Sequence, residues 1–344
     1  MRGTRLDGLD ALRGVAAAAV MLYHYSSEYS YLYGGHPPPG LRFAAPYGNL
    51  GVDFFFLISG FAIGLTLERA PGAGAFLGAR AARLFPGFWT AMAVTLAAGA
   101  LLGGEPVEVR VLVANLTMAP ALFGVAAVDA VYWSLQYEWA FYLLAAGTLL
   151  SKRGWPPEAW CGIWLAGAAI ARMVGPGEVP ELLDRLTAIP FAHLFAIGVM
   201  LHRVHAGRAT RWTWVVFCCS WALTLGGPAQ AVLNPLPPLV YAGLVAGFAL
   251  AIGLAARMGG WGRLAPVAGF LGRVSYPLYL VHRAAGMDLI ARLEAASVSP
   301  DAAAAVAIAG SVLVAWAIAD GVEPRARAWL HGRLGGAKGL ALAA

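Results

Sequence analysis

Residues 9–25 read LDALRGVAAAAVMLYHY. Continued to residue 27, the run is long enough to cross most of a hydrocarbon core of about 30 Å as α-helix. Asp10, Arg13 and His24 interrupt it. Ionisable groups are costly in lipid, so they turn toward a bundle interior or a wet cavity and mark candidate functional positions. Arg13 and His24 stand eleven residues apart, about three helical turns, which puts them on one face roughly 16 Å apart along the axis. A plainer reading is that Asp10 pairs with Arg13 at the inner interface, while His24 joins Tyr23 and Tyr25 in an outer aromatic belt.

Working outward, the same apolar pattern recurs along the chain. Its 344 residues are 60% hydrophobic and only 12% charged, and the mean hydropathy is +0.67. This composition predicts an all-α, polytopic integral membrane protein forming one membrane-embedded domain over 1–344. Spans are predicted near 9–27, 50–67, 85–103, 131–150, 158–174, 188–202, 212–227, 237–256, 270–290 and 303–320. The apolar segment 107–128 is broken by Arg110, Asn115 and Pro120, so it is read as a re-entrant or interfacial piece.

The net charge of +6 is read through this topology and not as a sign of nucleic-acid binding. Arg2, Arg5, Arg69, Arg80, Arg83, Lys152, Arg153 and the arginines from 203 to 211 fall in segments on one side of the ten spans. Arg42, Arg110, Arg185 and Arg292 fall on the other. Basic loops stay inside, so both termini are expected to be cytoplasmic, with the protein in a bacterial plasma membrane. Cys161, Cys218 and Cys219 have no Cys-x-x-Cys spacing and read as structural thiols. His202 and His205 lack an obvious third ligand, so no metal is expected. Gly60 with Gly64, Gly99 with Gly103 and Gly243 with Gly247 have the spacing that lets helices approach closely.

Applying the topology gathers titratable groups at similar depth on the outer side. Asp53 lies at the outer end of the second span, Glu138 just below the outer end of the fourth, and His282 with Arg283 in the outer half of the ninth. An aromatic belt does not need carboxylates. On the inner side, Arg80 and Arg83 at i, i+3 offer a cationic edge suited to phosphates, although an ordinary positive-inside loop looks the same. A membrane enzyme and a proton-coupled secondary transporter both account for buried charge of this kind.

Taken in order, Arg-x10-His in the first span, GVDFFFLISGF, ARAARLFPGFW, WSLQYE, SYPLYLVH and a closing VEP at 322–324 resemble the acyltransferase-3 family of integral membrane acyltransferases. The resemblance implies acyl-CoA, most plausibly acetyl-CoA, as the co-substrate. It makes His24 the essential histidine, Arg13 its partner arginine, Glu138 a motif glutamate and Arg80 with Arg83 the acyl-CoA contact. The motifs add Asp10, Asp53, Ser275, Tyr276 and His282 as further site candidates. Acyl transfer to a hydroxyl then takes one of two routes: His24 as general base on the acceptor, with Glu138 supporting the imidazolium, or transient acylation of His24 itself. The expected acceptor is a carbohydrate, a glycolipid or a small glycoside at the extracytoplasmic side, with a macrolide or other small metabolite as the alternative.

Overall fold

The computed structural model describes residues 7–34, 38–41, 46–103, 105–150, 155–175, 178–229, 236–258 and 262–333. Arg2, Arg5, Arg42, Lys152 and Arg153, used above to orient the chain, lie outside these residues. All regular structure among the described residues is helical. The α-helices are α1 (Asp7–Tyr23), α2 (Tyr29–Tyr33), α3 (Gly51–Leu67), α4 (Ala73–Leu101), α5 (Val109–Asn115), α6 (Trp133–Thr148), α7 (Pro157–Val174) and α8 (Glu181–Thr187). They continue with α9 (Ala192–His205), α10 (Arg211–Thr224), α11 (Pro238–Arg257), α12 (Ala265–Val281), α13 (Arg283–Ala295), α14 (Pro300–Ala317) and α15 (Glu323–Arg333). In lipid a helix satisfies its own backbone hydrogen bonds, which is why apolar sequences of this length adopt it.

Five helical stretches have the length and apolarity to cross a membrane, and a sixth is formed if α8 and the segment Ile189–His205, bent by 50°, count together. Each of the ten predicted stretches is helical, but α1, α6 and α10 have only 17, 16 and 14 residues. Two predicted boundaries are corrected. The ninth stretch, 270–290, is not one helix: α12 ends at Val281 and α13 begins at Arg283. The third begins twelve residues before its predicted start at 85, so Arg80 and Arg83 sit inside the 29-residue α4 and not in a loop. The run ARAARL at 79–84 consists of strong helix formers, which extends the helix past the apolar limit.

Segment 107–128 contains α5 and a short 3-10 turn, Pro120–Phe123. Buried Asn115 ties it together: its side-chain amide donates to the carbonyls of Val111 and Ala126, and its oxygen accepts from the Val128 amide. Outside, Leu101, Ile163, Met173, Leu239 and Leu250 stand exposed, an arrangement suited to lipid contact.

At the centre, α1 packs along α12 and α3, and α3 along α9. Small residues allow this approach. A Cβ on Gly14 would run into Leu271, one on Gly272 into Asp10, and one on Gly60 into the Phe195 carbonyl. Gly64 likewise lies against His202, confirming the first of the three glycine pairs as a packing feature. Gly99, Gly243 and Gly247 face open space and bring no helix closer.

Candidate active site

Two helix irregularities build one end of the site. After Tyr23 the first span widens into a π-turn, His24–Glu28, a form of bulge that recurs at functional positions. His282 occupies the junction between α12 and α13. The two features bring together side chains 258 residues apart: Nδ1 of His24 lies 2.6 Å from Nε2 of His282, and the rings stack with centroids 4.9 Å apart. His282 is fully buried and His24 nearly so. Tyr25 donates its hydroxyl hydrogen bond to the His282 carbonyl at 2.6 Å and its oxygen lies 2.7 Å from Ser311 Oγ, which fixes the junction from α14.

The other ring nitrogen of His24, Nε2, lies 3.1 Å from Oε2 of Glu28. Arg283 donates to both oxygens of the same carboxylate, at 3.0 and 2.8 Å. Its guanidinium also approaches buried Asp129 at 3.9 Å, whose other oxygen accepts from the Ala284 amide. The result is an alternating row of charge, Glu28, Arg283 and Asp129, behind the histidine pair. Glu28 and Asp129 were not among the sequence candidates. The available signal was His24 and Glu28 at i, i+4, which face each other on a helix.

A cavity of about 350 Å³ adjoins this pair, within the range of small-molecule sites. His24, Glu28, Asn49, Trp133, Tyr137 and Asp184 contribute to its wall. They come from the C-terminal end of the α1 span, the 3-10 turn Gly48–Leu50 before α3, the N-terminal end of α6, and α8. Aromatic faces with carboxylates and an amide suit a polyhydroxylated ligand, because apolar ring faces and hydrogen-bonding groups alternate on both partners. Arginine and lysine are not among the lining residues that the structure describes.

A second cluster lies further along the bundle around Arg13. Arg80 is 3% exposed, with its guanidinium carbon 5.6 Å from the Phe76 ring centroid and 5.9 Å from that of Tyr142. Its Nε has no hydrogen-bond partner. Arg83 is half-buried, as is Arg13, and Arg13 is within electrostatic reach of Arg83, Asp10, Tyr142 and Glu138. A buried donor left unpaired is costly, and here it belongs to a guanidinium within electrostatic reach of Arg83 and Glu138, with Arg13 beside Arg83; three arginines in one cluster can receive an anion.

Among the remaining candidates the geometry divides clearly. Glu138 accepts from Ser59 at 2.5 Å and from Tyr142; it belongs to the arginine cluster and is not hydrogen-bonded to His24. Asp53, fully buried, accepts from Tyr241 at 2.9 Å and joins α3 to α11. Ser275 donates to the Gly272 carbonyl within α12, and Tyr276 to the Leu84 carbonyl across to α4. Only the Tyr276 bond places one helix against another.

The family comparison now has a geometry to rest on. The profile of the family described as an acyltransferase domain matches residues 6–320, which includes both clusters and the cavity. The chain belongs to the acyltransferase-3 family. This acyltransferase is 30% identical over 256 residues to "Exopolysaccharide production protein ExoZ" of Rhizobium meliloti (strain 1021), covering 68% of this chain and 75% of that protein. It is 26% identical over 280 residues to "Nodulation protein 10" of Rhizobium leguminosarum bv. viciae, covering 70% and 74%. No solved structure matches. The acyltransferase is thus an integral membrane enzyme transferring an acyl group other than aminoacyl.

One packing consequence is testable without activity. A Cβ on Gly286, in the first turn of α13, would collide with the Tyr25 hydroxyl that fixes the His282 junction. Gly286→Ala is expected to cost about 1–3 kcal/mol, the usual range for overpacking. Thermal unfolding in detergent should show a lower Tm than wild type, and an unchanged Tm would mean that Tyr25 relocates freely.

Proposed function

We propose that this acyltransferase moves an acyl group, acetyl first among candidates, from cytoplasmic acyl-CoA to a hydroxyl of a carbohydrate at the extracytoplasmic side. One observation carries the reading. A single span, α1 with its π-turn, presents Arg13 to the arginine cluster at one level and His24 to the histidine pair and cavity at another. An anionic carrier and a neutral acceptor therefore meet different chemistry on one path. Arg80, Arg83 and Arg13 hold the phosphates of acyl-CoA; the pantetheine arm carries the thioester toward His24; the acceptor enters the aromatic cavity.

In the transfer step His24 takes the hydroxyl proton while the acceptor oxygen attacks the thioester carbonyl carbon. The carbon–sulfur bond breaks, and the departing thiolate takes the proton. An ester and free CoA result. Direct transfer is the route taken here, with His24 held between His282 and Glu28 as suits a group that relays protons; an acyl-histidine trapped with labelled acetyl-CoA and no acceptor would overturn it. A carbohydrate acceptor is favoured over a macrolide by the cavity's aromatic and carboxylate wall and by the exopolysaccharide in one relative's name. The carboxylates of Glu28 and Asp184 in the wall favour an uncharged sugar over an acidic one.

The test is transfer of labelled acetyl from acetyl-CoA by the purified protein in nanodiscs, offered neutral oligosaccharides, uronic-acid oligosaccharides and a macrolide. Ester formation on the neutral oligosaccharide is expected. Labelling of the macrolide alone would overturn the carbohydrate assignment, and solute-coupled proton flux without consumption of acetyl-CoA would favour transport.

A further inference from the structure

The contacts around His24 can be counted in protons. Nδ1 of His282 lies 2.9 Å from the Leu278 carbonyl. A carbonyl only accepts, so this nitrogen carries a hydrogen. Between Nε2 of His282 and Nδ1 of His24, 2.6 Å apart, a second proton is needed, since two lone pairs at that distance repel. The third contact, Nε2 of His24 to Oε2 of Glu28 at 3.1 Å, again faces two acceptors unless a proton lies between them. Two neutral imidazoles carry only two protons. Three are required.

We propose that Glu28 is the second proton-handling residue of the transfer reaction: it shares the third proton with Nε2 of His24 and takes it over when the acceptor hydroxyl binds. The inference rests on His24 being the base of the proposed acyl transfer. Glu28 reaches the reacting position because it lines the same cavity as His24. With the shared proton on Glu28 as a carboxylic acid, Nε2 of His24 presents its lone pair to the hydroxyl. His24 then accepts the hydroxyl proton as the oxygen–carbon bond forms. The carbon–sulfur bond breaks, sulfur leaves with the electron pair, and the imidazolium returns the proton to it as thiol. Glu28 ends as it began, and the relay again holds three protons.

Arg283 and Asp129 complete the device. Arg283 holds both Glu28 oxygens in place, and Asp129 answers part of its charge, so the arginine keeps a carboxylate neighbour while Glu28 changes state. The titratable and charged groups around Glu28 are His24, His282, Arg283, Asp129 and Tyr33 from α2.

Glu28→Gln separates proton handling from structure. The glutamine amide nitrogen, in the place of Oε2, can donate to Nε2 of His24, and its oxygen, in the place of Oε1, can still accept from Arg283 Nη2; only the bond from Arg283 Nε to Oε2 is given up, with two neutral imidazoles and no third proton. The expected result in nanodiscs is a kcat lowered by about 100-fold or more, the scale of lost acid–base catalysis. KM for acetyl-CoA should stay within about twofold, and one ionisation should vanish from the pH profile of kcat. Glu28→Asp should recover part of the rate and that ionisation. Wild-type kcat with both limbs of the profile in Glu28→Gln would overturn the inference, and so would loss of acetyl-CoA binding in step with turnover, which would mark Glu28 as a structural anchor. If instead wild-type protein transfers nothing to any hydroxyl, the proposed function itself falls.

Discussion

His24→Ala is expected to lower turnover by about 10²–10⁴-fold, the contribution typical of a positioned general base, and to leave acetyl-CoA affinity close to wild type. The asymmetry follows from geometry. His24 makes its contacts to His282 and Glu28 beside the cavity, whereas Arg13 on the same helix stands roughly 16 Å away along the axis, beside Arg83. Truncating the imidazole removes the atom that meets the hydroxyl proton and touches no group of the arginine cluster. His282 would lose a hydrogen-bonded neighbour but keep its bond to the Leu278 carbonyl, so the junction between α12 and α13 should persist. The measurement is kcat with a saturating acceptor, paired with calorimetric binding of acetyl-CoA or a non-transferable analogue. Turnover equal to wild type would remove His24 from the chemistry.

Replacing Arg80 and Arg83 together by alanine should act on the other substrate. Hydrogen bonds to charged groups contribute about 1.5–3 kcal/mol each, so losing two guanidinium contacts to phosphate is expected to raise KM for acetyl-CoA by about 100-fold or more, with a smaller change in kcat at saturation. Arg80 is also a packing element, held over Phe76 and Tyr142, and its truncation opens a space in the core. Arg83→Ala alone, at a half-buried position, therefore serves to separate binding from stability: it should raise KM without lowering Tm. Unchanged acetyl-CoA affinity in both variants would return these arginines to a role in helix orientation. Glu138→Gln belongs with this pair. Since its carboxylate accepts from Ser59 and Tyr142 next to Arg80, the change should show in acetyl-CoA affinity before it shows in the hydroxyl step.

Much of the architecture was legible in the chain because it depends on local quantities. A stretch such as 50–67 must hydrogen-bond its own backbone in lipid, and its length must match the hydrocarbon thickness; both are properties of consecutive residues. The shared face of Arg13 and His24 follows equally from 3.6 residues per turn. Boundaries were less legible where hydropathy and helix propensity disagree, as at Arg80 and Arg83, which a hydropathy reading assigns to a loop and the helix simply includes.

The pairing of polar groups was decided by tertiary structure alone. Equal depth suggested that His24, His282, Asp53 and Glu138 could meet, but depth says nothing of the direction in which each helix turns its side chains. The close approach of α1 to α12 at Gly14 and Gly272, with the π-turn and the break at His282, rotates the two histidines into contact. Asp53 turns instead to Tyr241, and Glu138 to Ser59 and Tyr142. His24 and Glu28 at i, i+4 are the exception, a local pair that the sequence could have offered, whereas Arg283, which holds Glu28, comes from the far end of the chain. The sequence by itself thus determined a helical membrane protein with charge at two levels of its first span; the structure decided which polar groups meet, because that depends on helix rotation set by contacts hundreds of residues apart.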